Sequence, residues 1–355
     1  MATYTKIDTD IIEDEGELSV SQTDQTHSVI FKEKSYHDIL GEELGERYWD
    51  YRKRWDRASK CEIVQDYPLH LNFEIFYGCN FRCPFCILST PIKDRGYKVD
   101  TKAKISFEKY CEIIDEGVKH GLCAVQLNGY NEPFLLKDIA RYIRYAKNAG
   151  VLDIYVVSNG SALKPEMAEE IIDAGLTQIK FSIDSLNRET YSKMRVGGDF
   201  DVTMRNINHF LEVKKKLGKK LPITRVSFLK AKENINELDD FINYWVERVD
   251  YITIQDMINP FLDDPEKYKK FEESLRLKKI EFKECPIPYQ RLIIRNDGSV
   301  LPCCTSYGYK LPLGNINQSS IYDIWNSDKT KNLRNKINGG PDSEPLPCKK
   351  CRSSF

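Results

Sequence analysis

The 355-residue chain contains no apolar run approaching the ~20 residues that span a bilayer, so a membrane helix is excluded. It also has almost no net charge. Its 53 Lys and Arg stand against 54 Asp and Glu, which leaves −1. That removes the electrostatic case for nucleic acid or an anionic membrane as a partner. Met1 to Gln25 lacks a basic start and an apolar core, so it does not read as a signal peptide, and the expected location is cytoplasmic. What is present is 41% hydrophobic and 30% charged residues, a composition able to bury a core. The length suits about two domains. There are also eleven cysteines. In a long chain without a secretion signal, clustered cysteines read as metal ligands rather than disulfides.

Three of them, Cys79, Cys83 and Cys86, fall within the stretch Gly78-Cys79-Asn80-Phe81-Arg82-Cys83-Pro84-Phe85-Cys86, directly after an apolar run from Leu69 to Phe76. Three thiolates on one short loop can hold a soft metal centre. They cannot complete the four-cysteine set of an ordinary cubic iron–sulfur cluster, so one iron would stay open, as a catalytic metal site requires. The alternative is a zinc loop, which usually shows paired C-x2-C or Cys/His ligands; no histidine lies within this one. The spacing C-x3-C-x2-C, with Phe85 before the last cysteine, resembles the signature of the radical S-adenosylmethionine (SAM) enzymes. The resemblance implies a [4Fe–4S] cluster on Cys79, Cys83 and Cys86, with SAM chelating the fourth iron. It also implies reductive cleavage of SAM to methionine and a 5′-deoxyadenosyl radical that abstracts a substrate hydrogen, with a reducing partner such as flavodoxin or ferredoxin. In such enzymes the cofactor carries the chemistry and the protein supplies position and shielding.

Residues 1–26 are acidic, with too few apolar residues for a core, and are expected to be disordered. Tyr48, Tyr51 and Trp55 at helical spacing predict one amphipathic helix over 42–59, within a helical extension over 27–65. From about 66 the chain alternates apolar strands (69–76, 123–127, 152–157, 178–183, 223–229, 250–255) with amphipathic helices (106–119, 136–149, 164–174, 202–217, 235–247). That alternation predicts an α/β fold with a parallel sheet. Six such units match the partial (β/α)6 TIM barrel of the resembled family, expected over 66–258. Barrel sites lie at the carboxyl ends of strands, and the cysteine loop follows the first strand. Cys61, Cys111 and Cys123 stand alone and read as small buried hydrophobes.

Further motifs follow the other strands. Asn128-Gly129-Tyr130-Asn131-Glu132-Pro133 resembles the family's Gly-Gly-Glu-Pro motif, which implies SAM contacts at Gly129, Asn131, Glu132 and Pro133. Tyr130-Asn131 departs from it, and a proline-ended turn explains the stretch otherwise. Ser158-Asn159-Gly160 resembles the family's turn near the SAM carboxylate and ribose. Ser182-Ile183-Asp184-Ser185, with Arg195 beyond, occupies a region that relatives use for SAM and substrate. A helix N-cap is the plainer reading of Asp184 or Ser185. Glu74, inside strand one, either faces the cluster or lines the barrel structurally.

After a charged bridging segment over 259–284, the chain carries Cys285, Cys303, Cys348 and Cys351, which make a closed four-thiolate set. Asn296-Asp297-Gly298 predicts a tight turn between strands 290–295 and 299–302, bracketed by Cys285 and Cys303. A helix is expected near Ile321 to Trp325. Four-cysteine zinc is the alternative. Residues 285–355 resemble the small SPASM/twitch domain of radical SAM enzymes, including Gly314-Asn315-Ile316 and Ile324-Trp325-Asn326-Ser327. Too few cysteines for two auxiliary clusters imply the twitch form with one auxiliary [4Fe–4S] cluster, as in twitch-type aminocyclitol dehydrogenases.

The expected reaction is oxidation of an alcohol to a ketone on a small polar metabolite, such as a sugar, aminocyclitol or nucleotide sugar, with Asp184, Glu74 and Glu132 as candidate polar groups. Epimerisation is the alternative, with Cys304 returning a hydrogen atom to carbon. Peptide crosslinking is a third, weakened because the first 65 residues look too short for a leader-binding domain.

Overall fold

Short apolar strands separated by amphipathic helices assemble into one sheet of eleven strands in the computed structural model, which describes residues 19–24, 27–31, 34–261, 264–275, 285–339 and 343–353. In chain order the strands are β1 (Ser19–Asp24), β2 (His27–Phe31), β3 (His70–Phe73), β4 (Ala124–Gln126), β5 (Asp153–Ser158), β6 (Gln178–Ser182), β7 (Ile223–Leu229), β8 (Tyr251–Gln255), β9 (Arg291–Ile294), β10 (Ser299–Leu301) and β11 (Gly314–Asn315). Strands β3 to β8 are parallel neighbours in sequence order, the arrangement of a partial TIM barrel.

Helices between them bury one stripe each. Phe107–Lys119 starts where the Ser106 side chain accepts from Lys109 N–H, and it buries Tyr110, Ile113 and Ile114. Ile139–Ala149 buries Ile139, Tyr142 and Ile143. Phe200–Lys216 is capped by Asp199 and buries Ile207 and Phe210. Strand β3 is buried on both faces, as a parallel strand under helices requires, and β6 alternates buried and half-buried positions.

Both edges of the barrel sheet are extended. At one, β2 adds antiparallel to β8, pairing Ser28 with Ile254 and Ile30 with Ile252, and β1 pairs with β2. Residues 19–24 are therefore a strand, against the expectation of disorder through residue 26; residues 1–18 lie outside the described ones. At the other edge β9 pairs in parallel with β3, from His70 opposite Arg291 to Phe73 opposite Ile294, and β10 and β11 follow antiparallel. The C-terminal hairpin thus continues the barrel sheet. The expected helix over 42–59 is instead two, Tyr36–Leu44 and Glu46–Ser59. They break at Gly45, whose φ of 74° is open to glycine without strain.

These two helices cover the amino end of the barrel. Leu40, Tyr48, Tyr51 and Ala58 pack with Leu69, Ala124, Leu152, Ile223 and Tyr251 at the strand starts, and Tyr36 stacks on Tyr251 at 4.7 Å. The cysteine loop lies at the opposite, carboxyl end. Among the described residues no helix is long and apolar enough to cross a membrane.

Candidate functional site

The loop after β3 is pinned to its neighbours through backbone groups. Gly78 bridges Asn131 in parallel fashion, Glu132 N–H donates to Gly78 O at 3.0 Å, and Arg82 N–H donates to Val196 O at 2.8 Å. Cys86 N–H donates to Cys83 O at 2.9 Å, closing a turn that turns the thiols of Cys79, Cys83 and Cys86 into one cleft of about 420 Å³. That volume lies in the range of small-molecule sites. Phe85, Gly129, Asn131, Glu132, Ser158, Asn159, Ser182, Arg195 and Cys304 line the same cleft.

The sulfurs have donors aimed at them. Phe81 N–H donates to Cys79 Sγ at 3.4 Å and Asn159 Nδ2 at 3.8 Å. Arg195 Nη1 donates to Cys83 Sγ at 3.8 Å, with its guanidinium 5.2 Å from the centroid of the Phe85 ring. Burial raises the Cys79 and Cys83 thiols and pushes Cys86 up to about 12. Without a metal they would stay protonated; a metal replaces those protons. Asn131, a residue of the cleft lining, accepts on Oδ1 from Gly129 N–H at 2.7 Å, while its buried Nδ2 has no partner.

Glu132 ties two loops together. Its Oε1 accepts from Ser158 Oγ at 2.7 Å and from Phe134 N–H at 3.2 Å, and its Oε2 accepts from Asn159 N–H at 2.8 Å. Burial raises its carboxyl to about 7. Pro133 is buried at the start of a short 3-10 turn that Glu132 caps, and it does not line the cleft.

Two expected site residues also lie off the cleft lining. Asp184, fully buried with φ at 66°, pairs with Arg195 at 2.5 Å and accepts from Leu229 N–H at 2.9 Å. Its carboxylate is committed to holding Arg195. Glu74, also fully buried, accepts on Oε2 from Tyr130 N–H at 2.9 Å and from Tyr309 O–H at 2.7 Å. It therefore couples the barrel to the C-terminal half instead of facing the thiols. It also explains Gly129, since a Cβ there would sit 2.6 Å from Glu74 Oε2.

A second group forms from the C-terminal half. Cys285, Cys303, Cys348 and Cys351 line one small apolar cavity of about 40 Å³ with Pro288, Leu333 and Ile337. Burial pushes Cys285 and Cys348 up to about 12 and Cys303 to about 11, and raises Cys351 as well. Four desolvated thiols around one cavity fit a closed cluster. Among the described residues no three His, Cys, Asp or Glu side chains converge as the ligands of a single ion would; a cube of irons needs thiols set wider apart than zinc does. The adjacent Cys303 and Cys304 face different cavities. Cys303 faces the four-thiol cavity, and exposed Cys304 faces the cleft. Thr305 and Tyr307 line both.

Sequence reasoning placed Asn128 and Tyr130 in the motif after β4 without assigning them contacts, and it missed Asn259, Thr305 and Tyr307 in the cleft wall. Asn259 is fully buried, and its carbonyl accepts from Tyr307 O–H at 2.9 Å. No local pattern marks it, because the segment that carries it reads as a linker.

Residues 73–244 match the radical SAM superfamily, and residues 285–352 match an iron–sulfur cluster-binding domain, SPASM. The chain is 31% identical over 171 residues to GTP 3′,8-cyclase of Alkaliphilus oremlandii, covering 48% of this chain and 50% of that protein. It is 29% identical over 174 residues to a probable GTP 3′,8-cyclase of Methanocaldococcus jannaschii, covering 49% and 54%. The chain thus spans about half the length of these curated relatives. Among solved structures it resembles BtrN in complex with AdoMet and 2-DOIA, with a TM-score of 0.53, 16% identity and coverage of 81% of this chain and 94% of that one. It also resembles Streptococcus suis SuiB bound to precursor peptide SuiA, with a TM-score of 0.54, 14% identity and coverage of 90% and 89%. At these identities the structures share the fold.

Proposed function

The chain belongs to the radical SAM superfamily and carries a SPASM-type domain, and from that premise we propose that it oxidises an alcohol carbon of a small polar metabolite to a ketone. A sugar, aminocyclitol or nucleotide sugar is the substrate class. One observation carries this reading: the four-cysteine cavity and the cleft share a wall in the loop 303–307, whose Thr305 and Tyr307 line both. Four thiolates leave no iron open for a substrate, so a cluster there suits electron transfer. Removal of two electrons from an alcohol needs such an acceptor after the first hydrogen atom has gone.

Cys79, Cys83 and Cys86 would hold the first cluster, and Cys285, Cys303, Cys348 and Cys351 the second. When bound, these groups and SAM supply a one-electron reductive cleavage, an adenosyl fragment that takes hydrogen from carbon, and an electron acceptor. A reducing protein such as flavodoxin or ferredoxin delivers the first electron. The chain's own residues fix the site. Arg195, held by Asp184, presents a cation beside Cys83, and charge-assisted donors stabilise thiolate sulfur. Asn131 Nδ2, which has no partner, is a donor for a polar group of a ligand, while Asn159 Nδ2 is spent on Cys79 Sγ and Asn80 Oδ1. Glu132 locks the loops after β4 and β5 in register. The likeness to GTP 3′,8-cyclases covers about half of each chain and supports the shared radical chemistry rather than a substrate.

One observation favours a second reading. The Cys304 thiol is exposed into the cleft, where a thiol can return hydrogen to a carbon radical and give an epimer. The test is a panel of sugars, aminocyclitols and nucleotide sugars deuterated at carbinol carbons, turned over anaerobically. Oxidation gives deuterated 5′-deoxyadenosine and ketone one to one; an inverted alcohol, or SAM cleavage without ketone across the panel, refutes it.

A further inference from the structure

Oxidation of an alcohol releases the hydroxyl proton, and the carboxylates expected to take it are engaged elsewhere. Asp184 is bound to Arg195 and Leu229, Glu132 to Ser158, Asn159 and Phe134, and Glu74, behind the cleft wall, to Tyr130 and Tyr309 through Oε2, its Oε1 having no partner. We propose, resting on the oxidation reading above, that Lys180 of β6, which lies just beneath the cleft lining on the same strand face as cleft-lining Ser182, takes the substrate's hydroxyl proton.

Strand geometry supports this. Side chains two residues apart share a face, and Ser182, two residues beyond Lys180 on β6, lines the cleft. The register puts Lys180 opposite Arg225 and Arg225 opposite Tyr251. Yet Lys180 Nζ donates to Oε1 of Gln255 at 3.3 Å, and Gln255 lies four residues nearer the carboxyl end of β8 than Tyr251. The amine therefore climbs towards the cleft end of the barrel. That hydrogen bond is long, and among the described residues no carboxylate comes within ion-pair distance of the amine.

The charged and titratable groups facing it are Arg225 from β7, hydrogen-bonded to Tyr155 of β5 and stacked on Tyr251 of β8; Arg195 and Asp184 from beyond β6; and Cys304 from the C-terminal half. Burial, then Arg225 and Arg195, push the amine down to about 7, against the pull of Asp184 and Cys304. A large share is then neutral at neutral pH, as a proton acceptor must be. After hydrogen abstraction the substrate carries an unpaired electron on its carbinol carbon. The O–H bond then breaks, the proton goes to the neutral amine to give ammonium, and the C=O bond forms. A cluster held by Cys285, Cys303, Cys348 and Cys351 would be the one-electron acceptor for the remaining electron.

Two measurements test the role. In the reconstituted enzyme, competitive acetylation with acetic anhydride, read peptide by peptide by mass spectrometry, should show Lys180 reacting with a midpoint about 7. A midpoint in the ordinary lysine range near ~10, or no reaction at Lys180, overturns the proposal whatever reaction the enzyme performs. With the panel member that yields ketone, Lys180→Met should lower ketone per deoxyadenosine by about 100-fold. It should also remove the limb of the rate profile near pH 7, and Lys180→Arg should not rescue it. Ketone at the wild-type ratio overturns the role. If no panel member yields ketone the oxidation reading falls and the role with it, while the acetylation midpoint still stands as a property of the amine.

Discussion

Replacing Arg195 with Met removes one half of a buried ion pair. Asp184 has no solvent exposure and its carboxylate sits 2.5 Å from Arg195. Without the guanidinium, its remaining contact is Leu229 N–H at 2.9 Å. Breaking such a pair from one side costs about 3–5 kcal/mol, because the surviving charge stays desolvated. The carboxyl escapes part of that cost by protonating. With Arg195 gone, burial alone holds the folded-state pKa of Asp184 above its unfolded value of ~3.9. The variant's deficit is then largest at high pH and shrinks as pH falls, by at most about 1.4 kcal/mol per unit. The variant Asp184→Asn in the Arg195→Met background should recover most of the loss at pH 8, since Asn keeps an acceptor for Leu229 N–H and tolerates the positive φ at this position. Urea unfolding of anaerobically reconstituted protein, followed by far-UV circular dichroism at pH 8 and 5.5, measures each term. A deficit below about 1 kcal/mol at pH 8, one independent of pH, or no recovery with Asn would refute the reasoning.

Other outcomes follow from the same geometry. Gly129→Ala drives a Cβ to 2.6 Å from Glu74 Oε2, so overpacking should cost about 1–3 kcal/mol, measured by the same unfolding; an unchanged midpoint would mean that Glu74 moves freely. Reconstituted protein should hold about eight irons per chain, and Ala at Cys79, Cys83 and Cys86 together should leave about four with no SAM cleavage; stoichiometric zinc in anaerobically purified protein without iron–sulfur absorption counts against both sites. Ala at Cys348 and Cys351 should remove the second cluster and destabilise the C-terminal half, and iron analysis with retention of both clusters would show that they are not ligands. Turnover in D2O should leave the product carbon free of deuterium if Cys304 only packs, whereas deuterium there, lost in Cys304→Ala, would establish it as a hydrogen donor.

Much of the barrel was legible because its strands are apolar runs punctuated by turns and capped helices. Ile223–Leu229 and Tyr251–Gln255 lie within a residue of their expected bounds. What was not legible depends on partners far along the chain. Nothing in Arg291–Ile294 says that it will pair with His70–Phe73 and extend the barrel sheet, nor that Ser19–Asp24 and His27–Phe31 will build the other edge. Gly45 was visible as a letter, but its positive φ splits a helix whose apolar spacing runs on past it.

The same contrast holds at the site. Spacing singled out the clustered cysteines, since ligands on one loop must be close in sequence. Spacing alone left the pair Cys303 and Cys304 undecided, because neighbours differ only in which way they face. They follow β10, where the chain bends at Cys304 and turns back. One thiol turns to the four-cysteine cavity and the next to the cleft. Lys180 carried a readable signal of the same kind. Gln178, Lys180 and Ser182 put polar side chains at alternate positions of a strand expected to be apolar on both faces. In a barrel, a polar face on a wall strand points into the lumen, where a buried amine is costly. Its presence there argues for use at the substrate rather than for stability.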